Sequence, residues 1–380
     1  MKIVIASDKY KGSLSALEVC RIIGRTIKET GPDIEVILSP MADGGDGTVE
    51  TLVESLEGKF VEIKVKGPLG EPVKARFGMI GSGTAVIEMA SASGLVLVPA
   101  GRRNPMETTT YGTGELILKA IDMGSKKIIV GIGGSATNDG GMGMAQALGY
   151  RLLDSSGDPL GFGGKELARL SSIDNTGINS KLLMTTIEVA SDVDNPLYGK
   201  KGAAYVYGPQ KGAGPEMVKD LDEGLKNYAQ IVARDLKKNI VDLPGAGAAG
   251  GLGAGLAAFA GGVLKPGTDI VIETTGLEDK IKDADLIITG EGAMDDQTFY
   301  GKSAYGVAKL ASKYNIPVIT INGSVLSDRN NIDEKNSSLF SGNFSIINRP
   351  MMLEEAIRDA EELLSGAVAE IISFYLRIVK

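Results

Sequence analysis

The chain has 380 residues, of which 43% are hydrophobic and 23% are charged, with no histidine and one cysteine, Cys20. This composition is typical of a folded protein of one or two domains and excludes a disordered chain. The net charge of −8 argues against non-specific nucleic-acid binding, and one cysteine cannot form an internal disulfide bond. The opening residues lack a signal peptide's apolar core, and no apolar run is long enough to span a bilayer, so we expect a cytoplasmic protein.

The first residues alternate between strand and helix patterns. Apolar runs predict strands at Lys2–Ala6 and Glu35–Leu38. A capping-box spacing predicts a helix that begins near Ser15, and apolar residues at helical spacing predict a second helix over Thr48–Leu56. This alternation indicates a parallel sheet.

The middle of the chain has a different pattern. Alternating apolar and polar residues predict antiparallel strands at Lys59–Lys66, Pro72–Ile80 and Thr84–Met89. Short apolar runs predict two further strands, at Lys127–Val130 and Thr186–Ala190. Helical spacing predicts helices at Gly114–Met123, Gly143–Leu148 and Met217–Leu236.

The last third returns to alternating strands and helices. The predicted strands are Ile270–Glu273, Leu286–Thr289, Pro317–Ile321 and Phe344–Ile347, and the predicted helices are Ser303–Tyr314 and Leu353–Ile378. We therefore predict an α/β protein of two domains. Residues 1–68 and 270–380 would form a discontinuous Rossmann-like domain with a parallel sheet, and 69–269 an inserted mixed α/β domain. We expect the active site in the cleft between these domains.

Four loops combine glycine with acidic or small polar residues, at 42–48, 132–141, 245–251 and 289–298. Glycine lets backbone N–H groups surround an anion, and carboxylates beside such turns can hold Mg²⁺. Because the chain has no histidine, any acid–base chemistry falls on Asp, Glu, Lys or Tyr. These features favour phosphoryl transfer from a magnesium-bound polyphosphate.

Other polar loops are less specific. Lys9 and Lys11 follow the first strand and would suit a phosphate or carboxylate, although surface lysines fit equally well. Arg103 would suit a small carboxylate, and Asp192 ends a predicted strand, but both could belong to ordinary turns. Gly301-Lys302-Ser303 resembles the end of a P-loop, yet Asp296 stands where that motif requires glycine.

A dinucleotide-dependent oxidoreductase is the chief alternative. Gly131–Ala136 matches G-x-G-x-x-A, and Asp154 lies near the spacing expected of a ribose-binding acid. Gly245–Gly250 is a second match of the same kind, which shows how weak each match is. A non-catalytic sensor of a sugar acid is a further alternative.

The chain resembles the type I bacterial glycerate kinases, the glycerate 2-kinase family, over nearly its whole length. The matching stretches are DKYKGSLSA at 8–16, ADGGDGT at 42–48, RNPMETTTYGTGE at 103–115, IGGSATNDGG at 132–141, SDVDNPL at 191–197, GPQKGAG at 208–214, GAGAAGGLGAG at 245–255, TGEGAMDDQTFYGK at 289–302 and NRPMMLEE at 348–355. The resemblance implies transfer of the γ-phosphoryl group of ATP to D-glycerate with Mg²⁺, and the 2-hydroxyl is the expected acceptor. It also implies a Rossmann-like domain with an inserted α/β domain. Phosphorylation of the 3-hydroxyl, or of another small hydroxy acid, stays open.

The expected roles follow from this resemblance together with the residue types. The expected catalytic residues are Asp192 as the base, Lys11, Lys302 and Asp8, with Asp8 or Asp46 as alternative bases. The expected substrate-binding residues are Lys9, Lys11, Arg103 and Asp46. The expected nucleotide-binding residues are Gly133, Gly134, Ser135, Asn138, Asp139, Gly247, Gly250 and Gln297. The expected metal ligands are Asp43, Glu291 and Asp296. The expected partners are glycerate, ATP and Mg²⁺, without nucleic acid or membrane, and a homodimer stays open.

Overall fold

The computed structural model of the protein describes residues 1–45, 47–294, 302–326 and 339–378. The chain divides into two compact units, which are described separately below. Unit 1 comprises 1–43, 50–56 and 268–380, and unit 2 comprises 44–49 and 57–267. Each unit has a hydrophobic core of its own.

The strands are β1 (Lys2–Ile5), β2 (Glu35–Leu38), β3 (Lys59–Lys66), β4 (Pro72–Ile80), β5 (Thr84–Glu88), β6 (Lys127–Gly131), β7 (Arg151–Leu153), β8 (Ser172–Asp174), β9 (Thr186–Ala190), β10 (Val263–Lys265), β11 (Leu286–Thr289), β12 (Ala293–Met294), β13 (Val318–Asn322), β14 (Ser324–Val325) and β15 (Gly342–Ser345). The α-helices are α1 (Ala16–Thr30), α2 (Thr48–Ser55), α3 (Ala90–Ser93), α4 (Tyr111–Asp122), α5 (Met142–Ala147), α6 (Ala203–Tyr207), α7 (Pro215–Leu236), α8 (Ala248–Ala260), α9 (Gly267–Thr275), α10 (Leu277–Ile281), α11 (Ser303–Ser312), α12 (Leu353–Arg358) and α13 (Ala360–Ile378). Short 3₁₀ turns connect some of them.

Unit 1 contains a five-stranded sheet in the order β15-β13-β11-β1-β2, and all neighbouring strands are parallel. The expected parallel sheet is confirmed. From β1 the chain moves to β2 on one side, whereas β11, β13 and β15 lie on the other side. The carboxyl ends of β1 and β11 therefore meet at a topological switch point, which is where open α/β sheets bind ligands.

Helix α1 shows how the sequence specifies this unit locally. Ser15 and Glu18 form the capping box that the spacing predicted, with each side chain bonded to the other residue's backbone N–H. Ile23 and Ile27 on the inner face are fully buried, as is Cys20. Burial raises the pKa of the Cys20 thiol to about 12, so this cysteine behaves as a small apolar core residue.

Unit 2 contains a six-stranded mixed sheet in the order β10-β9-β6-β5-β4-β3. The strands β3, β4 and β5 pair in antiparallel fashion, as predicted, while β5, β6, β9 and β10 are parallel. Loops that follow β6 and β9 therefore leave the same edge of the sheet. The α/β class with one parallel and one mixed sheet agrees with the fold expected from the sequence.

Two predicted elements are wrong. The segment Ile270–Glu273 is part of helix α9 and not a strand. The buried residues Ile270, Val271 and Thr275 are spaced as on one face of a helix, and this packing outweighs the strand preference of β-branched residues. The predicted closing helix over Leu353–Ile378 is two helices, because Asp359 leaves helical geometry with φ of −97° and ψ of 13°. No helix among the residues described is both long and apolar enough to cross a bilayer.

Gly290 directly follows β11 and lies against the backbone of β13. A Cβ atom on Gly290 would lie 1.8 Å from the carbonyl oxygen of Ile321. We expect Gly290→Ala to lower the free energy of unfolding by about 3 kcal/mol, measured by urea unfolding, because the sheet must shift to accept the methyl group. Gly366→Ala is the matched control, since its Cβ meets nothing within 4 Å on α13 and should add about 1 kcal/mol of stability. Equal stability of the Gly290→Ala variant and the wild type would contradict this packing.

Candidate functional site

A pocket of about 520 Å³ lies in unit 1, at the switch point of the parallel sheet. We call it the unit 1 pocket. Its charged lining residues are Asp8, Lys9, Lys11, Asp43, Glu291 and Lys302, and its apolar lining includes Ile346, Ile347, Leu353, Ala356, Ile357 and Ala360. The loop after β1 and the loop after β11 supply most of the charged side chains. The structure therefore brings six of the residues expected from the sequence into one pocket.

Asp8 is the most deeply buried charged group of this pocket, with 7% of its surface exposed. Its Oδ1 accepts the backbone N–H of Lys9 at 2.7 Å, and its Oδ2 accepts the Ser303 hydroxyl at 2.6 Å. Burial, together with the nearby Asp43 carboxylate, raises the pKa of Asp8 to about 6. A carboxylate with a pKa this close to neutrality can accept a proton from a substrate hydroxyl.

Ser303 has a role that the sequence did not reveal. It is the first residue of α11, and the N-cap position before it is Lys302, which makes no side-chain cap hydrogen bond. The Ser303 hydroxyl is fixed on Asp8, 295 residues away in the chain. The helix start therefore positions the Asp8 carboxylate.

Lys302 Nζ lies 3.4 Å from Glu291 Oε2, with side-chain exposures of 29% and 13%. Asp43 and Glu291 bring two carboxylates to the same pocket. Among the described residues no group of three acidic, cysteine or histidine side chains is arranged to hold a metal ion. The third expected metal ligand, Asp296, lies outside the described residues, as do Asp46 and Gln297.

A second pocket, of about 310 Å³, lies in unit 2. We call it the unit 2 pocket. The loop after β6 contributes Gly133, Gly134 and Ser135, and the loop after β9 contributes Asp192. The side chain of Asp192 is exposed, and its Oδ1 accepts the backbone N–H of Gly267 at 2.9 Å. The glycine loop and the expected base thus line one pocket, on neighbouring strands of the mixed sheet.

Asp139 is fully engaged beneath this loop. Its Oδ2 accepts the backbone N–H and the hydroxyl of Thr110, each at 2.9 Å, and the N–H of Gly143 at 3.2 Å, while its Oδ1 accepts the N–H of Gly141 at 3.1 Å. Burial raises the pKa of Asp139, and these donors oppose that shift. Because Thr110 and Gly141 are the N-cap residues of α4 and α5, Asp139 ties together the first turns of two helices.

Lys211 is a buried lysine that the sequence did not indicate as a site residue. Its Nζ donates to Ser135 Oγ at 2.6 Å and to the Thr137 carbonyl oxygen at 2.7 Å. Burial lowers the pKa of Lys211 to about 7, and Asp139 opposes that shift. The one available signal was its position in Gly208–Gly214, where glycines on both sides allow close approach of the backbone.

The remaining expected residues of unit 2 lie apart from the pocket lining. Gly250 packs closely on the loop after β6, because a Cβ there would lie 2.0 Å from the Thr137 carbonyl oxygen. Its φ of +71° is also a backbone conformation that favours glycine. A Cβ on Gly247 would lie 2.2 Å from the Pro196 carbonyl oxygen. Arg103 is exposed after a 3₁₀ turn. The glycines at 247 and 250 therefore allow tight backbone packing around the loop.

Comparison with known proteins decides the family. A family described as the glycerate kinase family matches residues 3–376. The chain belongs to the glycerate kinase family. It is 50% identical over 372 residues to the glycerate kinase of Bacillus subtilis, covering 98% of this chain and 97% of that protein. It is 48% identical over 368 residues to the glycerate 2-kinase of Escherichia coli, covering 97% and 96%. The family resemblance seen in the sequence is confirmed.

A solved structure supports the fold of this glycerate kinase family member. A protein of Salmonella typhimurium LT2, described as a glycerate kinase 2, superposes with a TM-score of 0.91 at 49% identity. The match covers 99% of this chain and 98% of the other. The predicted α/β fold is therefore that of a glycerate kinase, a phosphotransferase with a hydroxyl acceptor.

The oxidoreductase alternative finds no support in this family member. The Asp154 carboxylate accepts the backbone N–H groups of Ser156 and Asp158 and pairs with Arg169 on a local turn. A ribose-binding acid would instead have to face a bound dinucleotide. In addition, the helix that follows the glycine loop, α5, begins only at Met142.

The depressed pKa of Lys211 predicts a pH dependence of stability. Between about pH 7 and its ordinary value of 10.5, Lys211 is protonated in the unfolded chain and largely neutral in the folded chain. The unfolded state then binds more protons, so the contribution of Lys211 to the free energy of unfolding rises with pH across this window. We expect the difference in stability between wild type and Lys211→Met to change by roughly 1–3 kcal/mol from pH 7 to pH 10, measured by urea unfolding. A difference that does not vary with pH would contradict the assignment.

Proposed function

We propose that the protein transfers the γ-phosphoryl group of ATP to the 2-hydroxyl of D-glycerate, giving 2-phosphoglycerate. The observation that carries this proposal is the unit 1 pocket, where a buried carboxylate, Asp8, lies among lysines and further carboxylates. These groups fit an acceptor that has one carboxylate and two hydroxyls. The named glycerate 2-kinase of Escherichia coli, at 48% identity, supports the 2-position as the acceptor.

Lys9 and Lys11 are the proposed partners of the substrate carboxylate, because both are cations that line the unit 1 pocket. Arg103, on its exposed turn in unit 2, is a further candidate for this role because a guanidinium group binds carboxylates in bidentate fashion. Asp46 is a further candidate substrate ligand from the sequence and lies outside the described residues.

Asp8 is the proposed general base, and Asp192 is the alternative. The carboxylate takes the proton of the 2-hydroxyl, and the hydroxyl oxygen forms a bond to the γ-phosphorus. The bond between the γ-phosphorus and the bridging oxygen of the β-phosphate breaks, and ADP is the leaving group. The burial of Asp8 and its pKa of about 6 support this role, since proton transfer is most efficient when the pKa of the base lies near the working pH. Asp192 is exposed and would serve the same chemistry with less desolvation.

The nucleotide phosphates are assigned to backbone N–H groups and small side chains. We propose that Gly133, Gly134 and Ser135 contact them directly, because these residues line the unit 2 pocket. Asp139, Gly247 and Gly250 would hold this loop in shape, since Asp139 bonds the first turns of α4 and α5 and the two glycines pack closely on neighbouring backbone. Asn138, whose buried amide has no hydrogen-bond partner among the described residues, is a further proposed contact. Gln297 is a further proposed contact and lies outside the described residues. Lys302 would offset negative charge on the transferring group.

Mg²⁺ is proposed as the metal that accompanies ATP. Asp43 and Glu291 fit this group, because Mg²⁺ commonly binds one or two protein carboxylates and completes its shell with phosphate oxygens and water. Asp296 is the third proposed ligand. When bound, the ion would neutralise charge on the phosphates of ATP.

The proposed function is tested by measuring the ADP that forms from Mg²⁺-ATP in the presence of each member of a panel of hydroxy acids. We expect turnover with D-glycerate and a kcat/KM at least about 100-fold lower with lactate, which lacks the second hydroxyl. L-Glycerate controls for the configuration at carbon 2. Equal turnover with all three acids, or none with D-glycerate, would contradict the proposal.

A further inference from the structure

Lys211 is buried in a setting that ordinarily disfavours a cation. Among the described residues it is the one lysine or arginine that falls in the buried class, with 1% of its surface exposed. No described carboxylate lies within ion-pair distance of its Nζ, and its two partners are a hydroxyl oxygen and a carbonyl oxygen. An ammonium group removed from water is costly unless it is paired, so such a group needs a reason to be there.

The contact between Lys211 and Ser135 has a fixed direction. Below its pKa of about 7, Lys211 carries an ammonium group, which has only hydrogen-bond donors, so Ser135 Oγ is then the acceptor. The hydroxyl hydrogen of Ser135 is then left to donate elsewhere, and within the described part of the chain Ser135 Oγ has no second partner. Ser135 lines the unit 2 pocket with the backbone of Gly133 and Gly134. When Lys211 is protonated, the pocket therefore contains a hydroxyl donor polarised by a buried positive charge.

Asn138 provides a second, independent observation on the same loop. Its side chain is fully buried, and neither Oδ1 nor Nδ2 has a hydrogen-bond partner among the residues that the structure describes. Buried amides are almost always hydrogen-bonded, so an unpartnered one points to a polar ligand or water at this place. The loop after β6 thus has unsatisfied polar groups beside its buried cation.

We propose that Lys211 is a positioning residue that turns the Ser135 hydroxyl into a donor for a phosphate oxygen of the bound nucleotide in the unit 2 pocket. The inference rests on the proposed kinase function, and it adds the residue that orients the phosphate-binding loop. Lys211 acts through Ser135 and the Thr137 carbonyl, so one amino group holds two positions of the loop after β6. A phosphate oxygen, which only accepts hydrogen bonds, is the group that such a donor suits.

The test is a double-mutant cycle on nucleotide affinity with the full chain. The variants are Lys211→Met, Ser135→Ala and the double variant, and the Kd of Mg²⁺-ATP is measured by calorimetry without glycerate. We expect each single variant to raise the Kd by about 10- to 100-fold. The Kd of the double variant should lie within about threefold of the Kd of whichever single variant binds more weakly. The Kd of inorganic tripolyphosphate should rise in parallel, because the contact is with phosphate and not with adenosine.

Lys238→Met is the matched control. Lys238 also donates to two carbonyl oxygens in unit 2, those of Ala257 and Ala258, and it does not line the unit 2 pocket. This variant should leave the Kd of ATP within about twofold of wild type. If Lys211→Met does not fold, Ser135→Ala alone still tests the proposal, since it removes the donor and leaves Lys211 bonded to the Thr137 carbonyl.

Several outcomes would overturn the inference. They are a Kd of ATP unchanged in Ser135→Ala, multiplicative effects in the double variant, or a rise in the KM of glycerate without a change for ATP. Binding of ATP by the wild type without turnover of glycerate would remove the proposed function and leave the Lys211 inference standing. Normal turnover of glycerate by the wild type, together with unchanged Kd values in the variants, would support the proposed function and overturn the Lys211 inference.

Discussion

Asp8→Asn is expected to lower kcat for glycerate phosphorylation by about 10²–10⁴-fold with little change in the KM of ATP, because asparagine cannot accept the proton of the acceptor hydroxyl. Asparagine keeps an oxygen for the Lys9 N–H, so the local backbone should be retained. The measurement is steady-state kinetics of ADP release at saturating D-glycerate. Asp192→Asn should lose less than about tenfold, because its amide oxygen can still accept the Gly267 N–H.

The same Asp8→Asn variant should be more stable than wild type at pH 8, by on the order of 2 kcal/mol, since a desolvated carboxylate is removed. A gain in stability with a loss of activity is the mark of a functional group kept at an energetic cost. Asp33→Asn, on an exposed turn of unit 1, is the control and should change neither quantity. Near-normal turnover in Asp8→Asn with a large loss in Asp192→Asn would transfer the role of base to Asp192.

Asp139→Ala is expected to give the largest loss of stability, about 3–5 kcal/mol in urea unfolding. The substitution leaves three buried backbone N–H groups without their acceptor, at the first turns of α4 and α5. Because those helices flank the loop after β6, nucleotide binding should weaken as a consequence of the lost structure.

Asp154→Ala is the matched control for this prediction. Asp154 also accepts two backbone N–H groups, those of Ser156 and Asp158, but it lies on a solvent-facing turn. Water can replace the acceptor there, so a much smaller loss is expected than for Asp139→Ala. Similar losses for Asp139→Ala and Asp154→Ala would show that the buried network does not hold the two helices.

The parallel strands of unit 1 were predictable because each is a short run in which most residues are apolar. β1, β2, β11 and β13 all lie within one or two residues of their predicted bounds. The loops that follow β1 and β11 were predictable as a site for the same reason, since carboxyl ends of parallel strands share one edge. By contrast, the strand predicted at Ile270–Glu273 is a helix, because a short β-branched run fits either period and only packing decides between them.

The chemistry of buried groups was not predictable from local sequence. Most lysines lie at the protein surface. The two hydrogen-bond acceptors of the buried Lys211 lie 76 and 74 residues away in the chain. The hydroxyl of Ser303 that holds Asp8 is still more distant in sequence. Both contacts arise from the order of strands in the sheets, which the periodicity of single segments does not specify.

The most direct test of the central claim is ³¹P NMR of the product formed from D-glycerate, ATP and Mg²⁺ by the wild-type protein and by Asp8→Asn. We predict that wild type gives 2-phosphoglycerate and ADP, and that Asp8→Asn gives the same product at a rate lower by about two orders of magnitude or more. Formation of 3-phosphoglycerate would contradict the assigned acceptor hydroxyl. Formation of 2-phosphoglycerate at equal rates by both proteins would contradict Asp8 as the base.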